Sequence, residues 1–339
     1  MKSLLLRPLL QLLSIGFVLA SFSVSATTEE WSQFKQIYIQ DNGRVTDIFN
    51  NQQTHSEGQG MGMLMAAQYE DLPTFELIWG WTQENLQKRE DKLFAWSWYP
   101  TSGISDMNNA SDGDILIAWG LLKAYKKWHS PRYLKAALEI CESIRTKLLR
   151  KTTYGIVLLP GSVGFETSKD ITINLSYWIF PAFNDFAKLD PFPDWQDLSQ
   201  TGLDLIKKAK FGKWGLPPNW LLITNNSLRP SKDFRFGYDA VRIPLYLIWG
   251  NQANDSNLKN FQDFWKSFQN QKRIPSWTNL QNNDVGEYNA GIGFHNISKL
   301  VLGYPDYKNI DIIGLVNTNS YYSYMLTLFT ESALEEQNK

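Results

Sequence analysis

Apolar residues recur at helical spacing in stretch after stretch of this 339-residue chain, and that pattern limits its fold most. Met61, Leu64, Met65 and Ala67 mark one face in 59–70, and Phe75, Ile78, Trp79, Trp81 and Leu86 another in 73–87. Ile115, Ala118, Leu121, Leu122, Tyr125 and Trp128 do so in 114–128. Leu134, Ala137, Leu138, Cys141, Ile144 and Leu148 follow in 132–149. The stretches 197–210, 240–250, 257–269, 290–302 and 320–337 are similar in kind, and a period near 3.6 predicts amphipathic helices. Clear strand signals are confined to 155–159 and 220–224. Helices arrive about every 25 residues, which suits twelve helices paired into six hairpins and equally suits a helical repeat array. No TPR- or HEAT-like pattern repeats at a fixed period. The loops are long and rich in Trp and Asp, which favours an all-α barrel with a cleft at one end.

The N-terminus reads as an address. Lys2 and Arg7 precede a mostly apolar run over 9–20, and Ser23, Val24, Ser25 and Ala26 are small. A secretory signal peptide over 1–26 is expected, because the apolar run falls short of the ~20 residues that span a bilayer. Residues 27–339 would then form a single domain working in the periplasm or secreted. Lys+Arg (33) and Asp+Glu (34) nearly cancel, which weighs against nucleic acid as a partner. The lone Cys141 excludes an intrachain disulfide and is expected to be a core residue. No His-x-x-x-His pair or EF-hand type of loop occurs, so neither metal nor cofactor is expected. A monomer is expected.

Three carboxylates stand in unusual surroundings. Glu57 lies in Ser56-Glu57-Gly58-Gln59-Gly60, where Ser56 and Gln59 resemble a capping box. Each glycine in a first turn costs a helix about 1 kcal/mol relative to Ala, which a chain tolerates where something approaches the backbone, such as a sugar ring. Asp112 lies in Ala110-Ser111-Asp112-Gly113-Asp114, where Ser111 and Asp114 suit a second capping box but Asp112 is left over. Asp239, in Tyr238-Asp239-Ala240-Val241-Arg242, reads as an N-cap or as half of an i,i+3 surface pair with Arg242.

At these residues the sequence resembles family 8 of the glycoside hydrolases. The family signature is matched by Ala110-Ser111-Asp112-Gly113-Asp114, Ile117-Ala118, Leu121-Leu122, Ala124 and Trp128, and departs at Gly120, where Ser or Ala is usual. The Glu57 run resembles the general-acid segment, and Tyr238-Asp239-Ala240-x-Arg242-x-Pro244 the general-base segment. Leu216-Pro217-Pro218-Asn219-Trp220 resembles a stretch of members associated with cellulose synthases. The resemblance covers 28–330. It implies an (α/α)6 barrel and an inverting endo-acting hydrolase of β-1,4-glucan. Glu57 would be the general acid, Asp239 the general base, and Asp112 a holder of the distorted sugar. Tyr321 or Tyr322 would match a tyrosine near the reactive water, and Trp96 a sugar-stacking tryptophan. A cellulose synthase complex is the protein partner it suggests.

Inverting hydrolysis needs a protonated carboxyl and an ionised one about 6.5–9.5 Å apart, with room for water. Arg242 is expected to keep Asp239 ionised. A helix start favours the charged form of Glu57, so burial against aromatic rings and the field of Asp112 must keep a proton there. Sugar faces stack on flat rings, and Trp96, Trp98, Tyr99, Tyr177, Trp178 and Trp220 fall near expected loops. Most of the 14 Trp are expected to fill the core. Asn174 and Ser176 are candidate hydroxyl partners, and His55 is expected either to orient Glu57 or to cap its helix. Alternatives are the same fold acting on chitosan, xylan or mixed-linkage glucan, a non-catalytic polysaccharide-binding protein, and a lyase.

Overall fold

The helical period becomes eleven α-helices among the residues that the computed structural model describes: 29–231, 233–271, 273–304 and 320–337. They are α1 (Glu29–Tyr38), α2 (Ser56–Gln68), α3 (Leu72–Asn85), α4 (Ser111–Trp128), α5 (Pro131–Ser143) and α6 (Phe180–Leu189). The rest are α7 (Asp194–Lys208), α8 (Arg242–Trp249), α9 (Asp255–Lys266), α10 (Ile292–Leu302) and α11 (Tyr321–Gln337). The expected leader, 1–26, lies outside the described residues. So does 305–319. No described helix is long and apolar enough to cross a membrane.

The helices form two layers. α2 packs on α4, α4 on α6, α6 on α8, α8 on α11 and α11 back on α2, closing an inner ring, with α10 between α8 and α11. Outside them, α1 packs on α11, α3 on α2, α5 on α4, α7 on α6 and α9 on α10. Burial follows this division. In α4 every residue from Ser111 to Leu122 is buried, whereas α5 buries only Tyr133, Ala137, Ile140 and Cys141. A helix enclosed on all sides loses its polar face, and one that covers a core keeps it. The architecture is an all-α barrel with one contiguous hydrophobic core. Cys141 lies in that core, fully buried.

The glycines of α2 serve this packing. A Cβ on Gly60 would stand 2.7 Å from Leu116 Cβ and 2.8 Å from the Ile117 nitrogen, and one on Gly58 would stand 2.0 Å from the Tyr321 hydroxyl. The expectation that they make room for a sugar is therefore corrected, since other helices occupy the space. Gly120 answers the same need on α4, with Met63 Cβ 3.1 Å from where its Cβ would be.

Neither expected capping box forms. His55 caps α2, its Nδ1 accepting the Gly58 N–H at 3.2 Å. Gln59 turns inward, accepting from the Val45 N–H at 2.6 Å and donating to Thr82 Oγ1 at 2.8 Å. Ala110 precedes α4 without a side-chain cap. The Asp114 carboxylate instead accepts the Phe94 N–H at 3.0 Å and the Asn109 amide at 2.7 Å. Buried donors within reach outbid the local cap.

Short strands brace the loops. β1 (Thr54–His55), β2 (Ser97–Tyr99) and β3 (Gly103–Asp106) form an antiparallel sheet pairing Thr54 with Trp98. β4 (Leu149–Thr152) pairs with β5 (Gly155–Leu158). β6 (Asp170–Ile173), β7 (Leu221–Thr224) and β8 (Leu228–Pro230) form a second antiparallel three-stranded sheet. β9 (Arg235–Phe236) pairs with β10 (Thr278–Asn279). The two sequence-predicted strands are β5 and β7.

Candidate active site

The starts of three inner helices meet. α2 carries Glu57 in its first turn, α4 carries Asp112, and the turn ahead of α8 carries Asp239, with Arg242 opening α8. Arg242 binds all three acids. Its Nη1 donates to Glu57 Oε1 and lies 3.5 Å from Asp112 Oδ2. Its Nη2 donates to Asp239 Oδ1 at 3.2 Å and to Ser176 Oγ at 3.0 Å. The guanidinium side chain is only 3% exposed, against 19% for Glu57 and 28% for Asp239. The Asp239–Arg242 pair is thus present, but it is buried in the centre rather than on the surface. Asp239 is not an N-cap; Val241 holds that position.

Burial and the charge of Glu57 push the Asp112 carboxyl well up, against the pull of Arg242. Burial also raises Asp239, and Arg242 and Asn174 pull it down without cancelling the effect. Desolvation thus outweighs the nearby cation in setting the direction of the shift. Arg242 itself is held charged: burial opposes this, and Glu57 leads the groups that overcome it.

The other predicted residues surround this centre. Asn174 is buried, and its Oδ1 accepts from the Ser176 N–H at 3.0 Å and hydroxyl at 2.7 Å, aiming Ser176 at Arg242. Tyr177 is half-buried, its ring 5.8 Å from the Arg242 guanidinium carbon and edge-on to Trp220. Trp220 stacks on Phe165 at an interplanar angle of 4°. Trp96 is exposed, and its Nε1 donates to Asp106 Oδ2 at 2.9 Å, while its carbonyl accepts the Ser56 N–H at 3.0 Å. Tyr322 is half-buried and donates to the Tyr238 carbonyl beside Asp239. Tyr321 is buried against Gly58, with His55 edge-on at 5.5 Å, and has almost no surface for a substrate. Trp178 is also fully buried, donating to the Leu198 carbonyl at 2.8 Å, and is corrected from cleft to core.

Two contributions escaped the sequence. Arg242 as the common partner of three acids required long-range contacts, 185 residues to Glu57 and 130 to Asp112. Tyr246, one turn along α8, lies fully buried, its hydroxyl pKa raised by burial against the lowering effect of Arg242. Its i+4 spacing from Arg242 was the available signal. Among the described residues no group of three His, Cys, Asp or Glu could hold a metal ion.

Comparison with known proteins gives one consistent answer. The model for glycosyl hydrolases family 8 matches residues 11–336. A probable endoglucanase of Novacetimonas hansenii is 34% identical over 96% of both chains. The endo-β-1,4-glucanase CMCax of Acetobacter xylinum superposes with a TM-score of 0.87 at 33% identity, covering 94% of this chain and 100% of its own. Endoglucanase Cel10 of Klebsiella pneumoniae gives 0.86 at 33% identity, covering 91% and 100%.

Proposed function

The chain belongs to glycosyl hydrolase family 8, and on that premise we propose that it is an inverting endo-β-1,4-glucanase with Glu57 as general acid and Asp239 as general base. The observation that carries this reading is the position of the two acids one guanidinium apart, on opposite nitrogens of Arg242. Both carboxylates keep some exposure, so a sugar laid over the guanidinium would meet an acid at its leaving oxygen and a base at the attacking water.

Glu57 protonates the departing glycosidic oxygen, with Asp112 beside it at the same guanidinium nitrogen. Asp239 takes a proton from water as that water attacks the anomeric carbon from the opposite face. Burial raises the proton affinity of Asp239, which strengthens it as a base. Arg242 steadies the negative charge on both sides and, with Asn174, fixes the direction of Asp239. After one turnover the proton is on the wrong acid. Both side chains keep some exposure, so solvent can reset them. Asp112, as buried as Tyr321, acts on the sugar through Arg242 and Glu57, and Trp96, Tyr177 and Tyr322 supply rings and hydroxyls beside the two acids.

The relatives named endoglucanase support glucan as the polymer. The leader expected at 1–26 and the 216–220 run support action in the periplasm or outside the cell, on cellulose-type chains as a cellulose synthase complex exports them. Glu57→Gln and Asp239→Asn should each cut hydrolysis of carboxymethylcellulose by about 10²-fold or more while melting stays near wild type. Proton NMR of the first product should show the inverted anomer. Near-normal turnover in either variant, or a retained anomer, rejects the assignment.

A further inference from the structure

Asp239 sits in a turn with no helix to hold it, and its aim depends on what grips that turn. The backbone carbonyls of 237–240 accept the Val241 N–H at Gly237 (2.9 Å), the Arg242 N–H at Asp239 (3.1 Å) and the Ile243 N–H at Ala240 (3.1 Å). The Gly237 and Ala240 N–H groups, on either side of Asp239, point away from those bonds. One atom satisfies both: Asn219 Oδ1 accepts from Gly237 at 2.9 Å and from Ala240 at 3.1 Å.

Asn219 is itself pinned. It is 5% exposed, its N–H donates to the Arg235 carbonyl at 2.6 Å, and its amide donates to Asp233 Oδ2 at 3.2 Å. Pro217 and Pro218 precede it, and Trp220 follows, its ring edge-on to Tyr177. A side chain fixed at both ends loses little entropy when it makes further bonds, so it transmits position well.

We infer that Asn219 is a positioning residue for the base, clamping the 237–240 turn so that the Asp239 carboxylate faces the attacking water. This rests on the reading of Asp239 as the base. Neither Ala nor a longer amide reproduces the clamp. Ala leaves two buried N–H groups without an acceptor, and Gln moves the oxygen by one methylene. Asp keeps an acceptor for both N–H groups but faces the Asp233 carboxylate in place of an amide donor.

The test compares Asn219→Ala, Asn219→Asp and Asp239→Asn, alone and combined, on carboxymethylcellulose and cellohexaose. Asn219→Ala should lower kcat about 10- to 100-fold, the scale of an ångström-sized misplacement, with KM within about twofold. In the Asp239→Asn background the same change should add almost nothing, since a lost clamp cannot misplace a base that is absent. Asn219→Asp should recover most of the lost kcat, with its acidic limb moved to higher pH by the added charge. A kcat for Asn219→Ala within about twofold of wild type, beside a strongly impaired Asp239→Asn, overturns the clamp alone. So does a full additive loss in the double variant. Near-normal Asp239→Asn rejects the base assignment, and the clamp with it.

Discussion

Ser56 Oγ lies so close over Gly113 that a Cβ built on the glycine would stand 2.1 Å from it, and 2.7 Å from the Glu57 nitrogen. The first turns of α2 and α4, which carry the acid and Asp112, are therefore in backbone contact. Gly113→Ala should drive them apart, costing about 1–3 kcal/mol by overpacking and most of the activity. Gly80, exposed in α3, has nothing within 4 Å of its would-be Cβ. Gly80→Ala should raise stability by about 0.5–1 kcal/mol with activity unchanged. Thermal melts and carboxymethylcellulose turnover on the pair check this, and equal effects would refute it.

Arg242 should be irreplaceable by lysine. One ammonium cannot reach Glu57 and Asp112 on one side and Asp239 and Ser176 on the other, as two guanidinium nitrogens do. Arg242→Lys should lose kcat far more than melting temperature. Arg242→Ala should also lose stability, on the order of 3–5 kcal/mol, because three acids remain around an empty place. A lysine variant with wild-type kcat would contradict the shared-cation geometry.

His55 caps α2 through Nδ1. His55→Ala should cost about 1 kcal/mol, and His55→Asn should restore most of it, because asparagine is among the best N-caps. Denaturant unfolding of the three proteins measures this directly. No recovery with asparagine would mean that the ring contact with Tyr321, not the cap, is what counts.

Asp114 should give stability a slope with pH. Burial pushes its carboxyl from 3.8 to about 7, against bonds from Asn109 and Phe94. The unfolded chain releases this proton near 4 and the folded chain near 7, so between those values the folded state binds the extra proton. Stability from this group therefore falls as pH rises from about 4 to about 7 and is flat above, a loss on the order of 4 kcal/mol. The acids held down by partners, among them Asp71, Asp91 and Asp185, act in the opposite sense and at lower pH. Asp114→Asn should make the wild-type decline between pH 4 and 7 shallower, leaving the part that Asp112 and Asp239 contribute. Parallel melting curves for the two proteins would disprove the shift.

Local features were readable because their causes are local. The apolar period needs only the chain's own geometry, so α2 to α5 and α7 to α11 fall close to their sequence stretches. α1 and α6 were not among them, the signal of α6 lying in the short run after Trp178. The caps were misread for a related reason: Ser56 and Ser111 suit an isolated helix start, but buried donors from Val45, Phe94 and Asn109 claimed Gln59 and Asp114.

The sequence alone determined that this chain is built of helices at regular spacing, and it singled out Glu57, Asp112 and Asp239 by their motifs. Only the tertiary structure decided that one buried arginine binds all three, that the α2 glycines face other helices, and that Tyr321 and Trp178 lie in the interior. The reason is range. Helix propensity and motif are written in neighbouring residues, whereas burial, desolvation and shared partners exist only once distant segments close the ring.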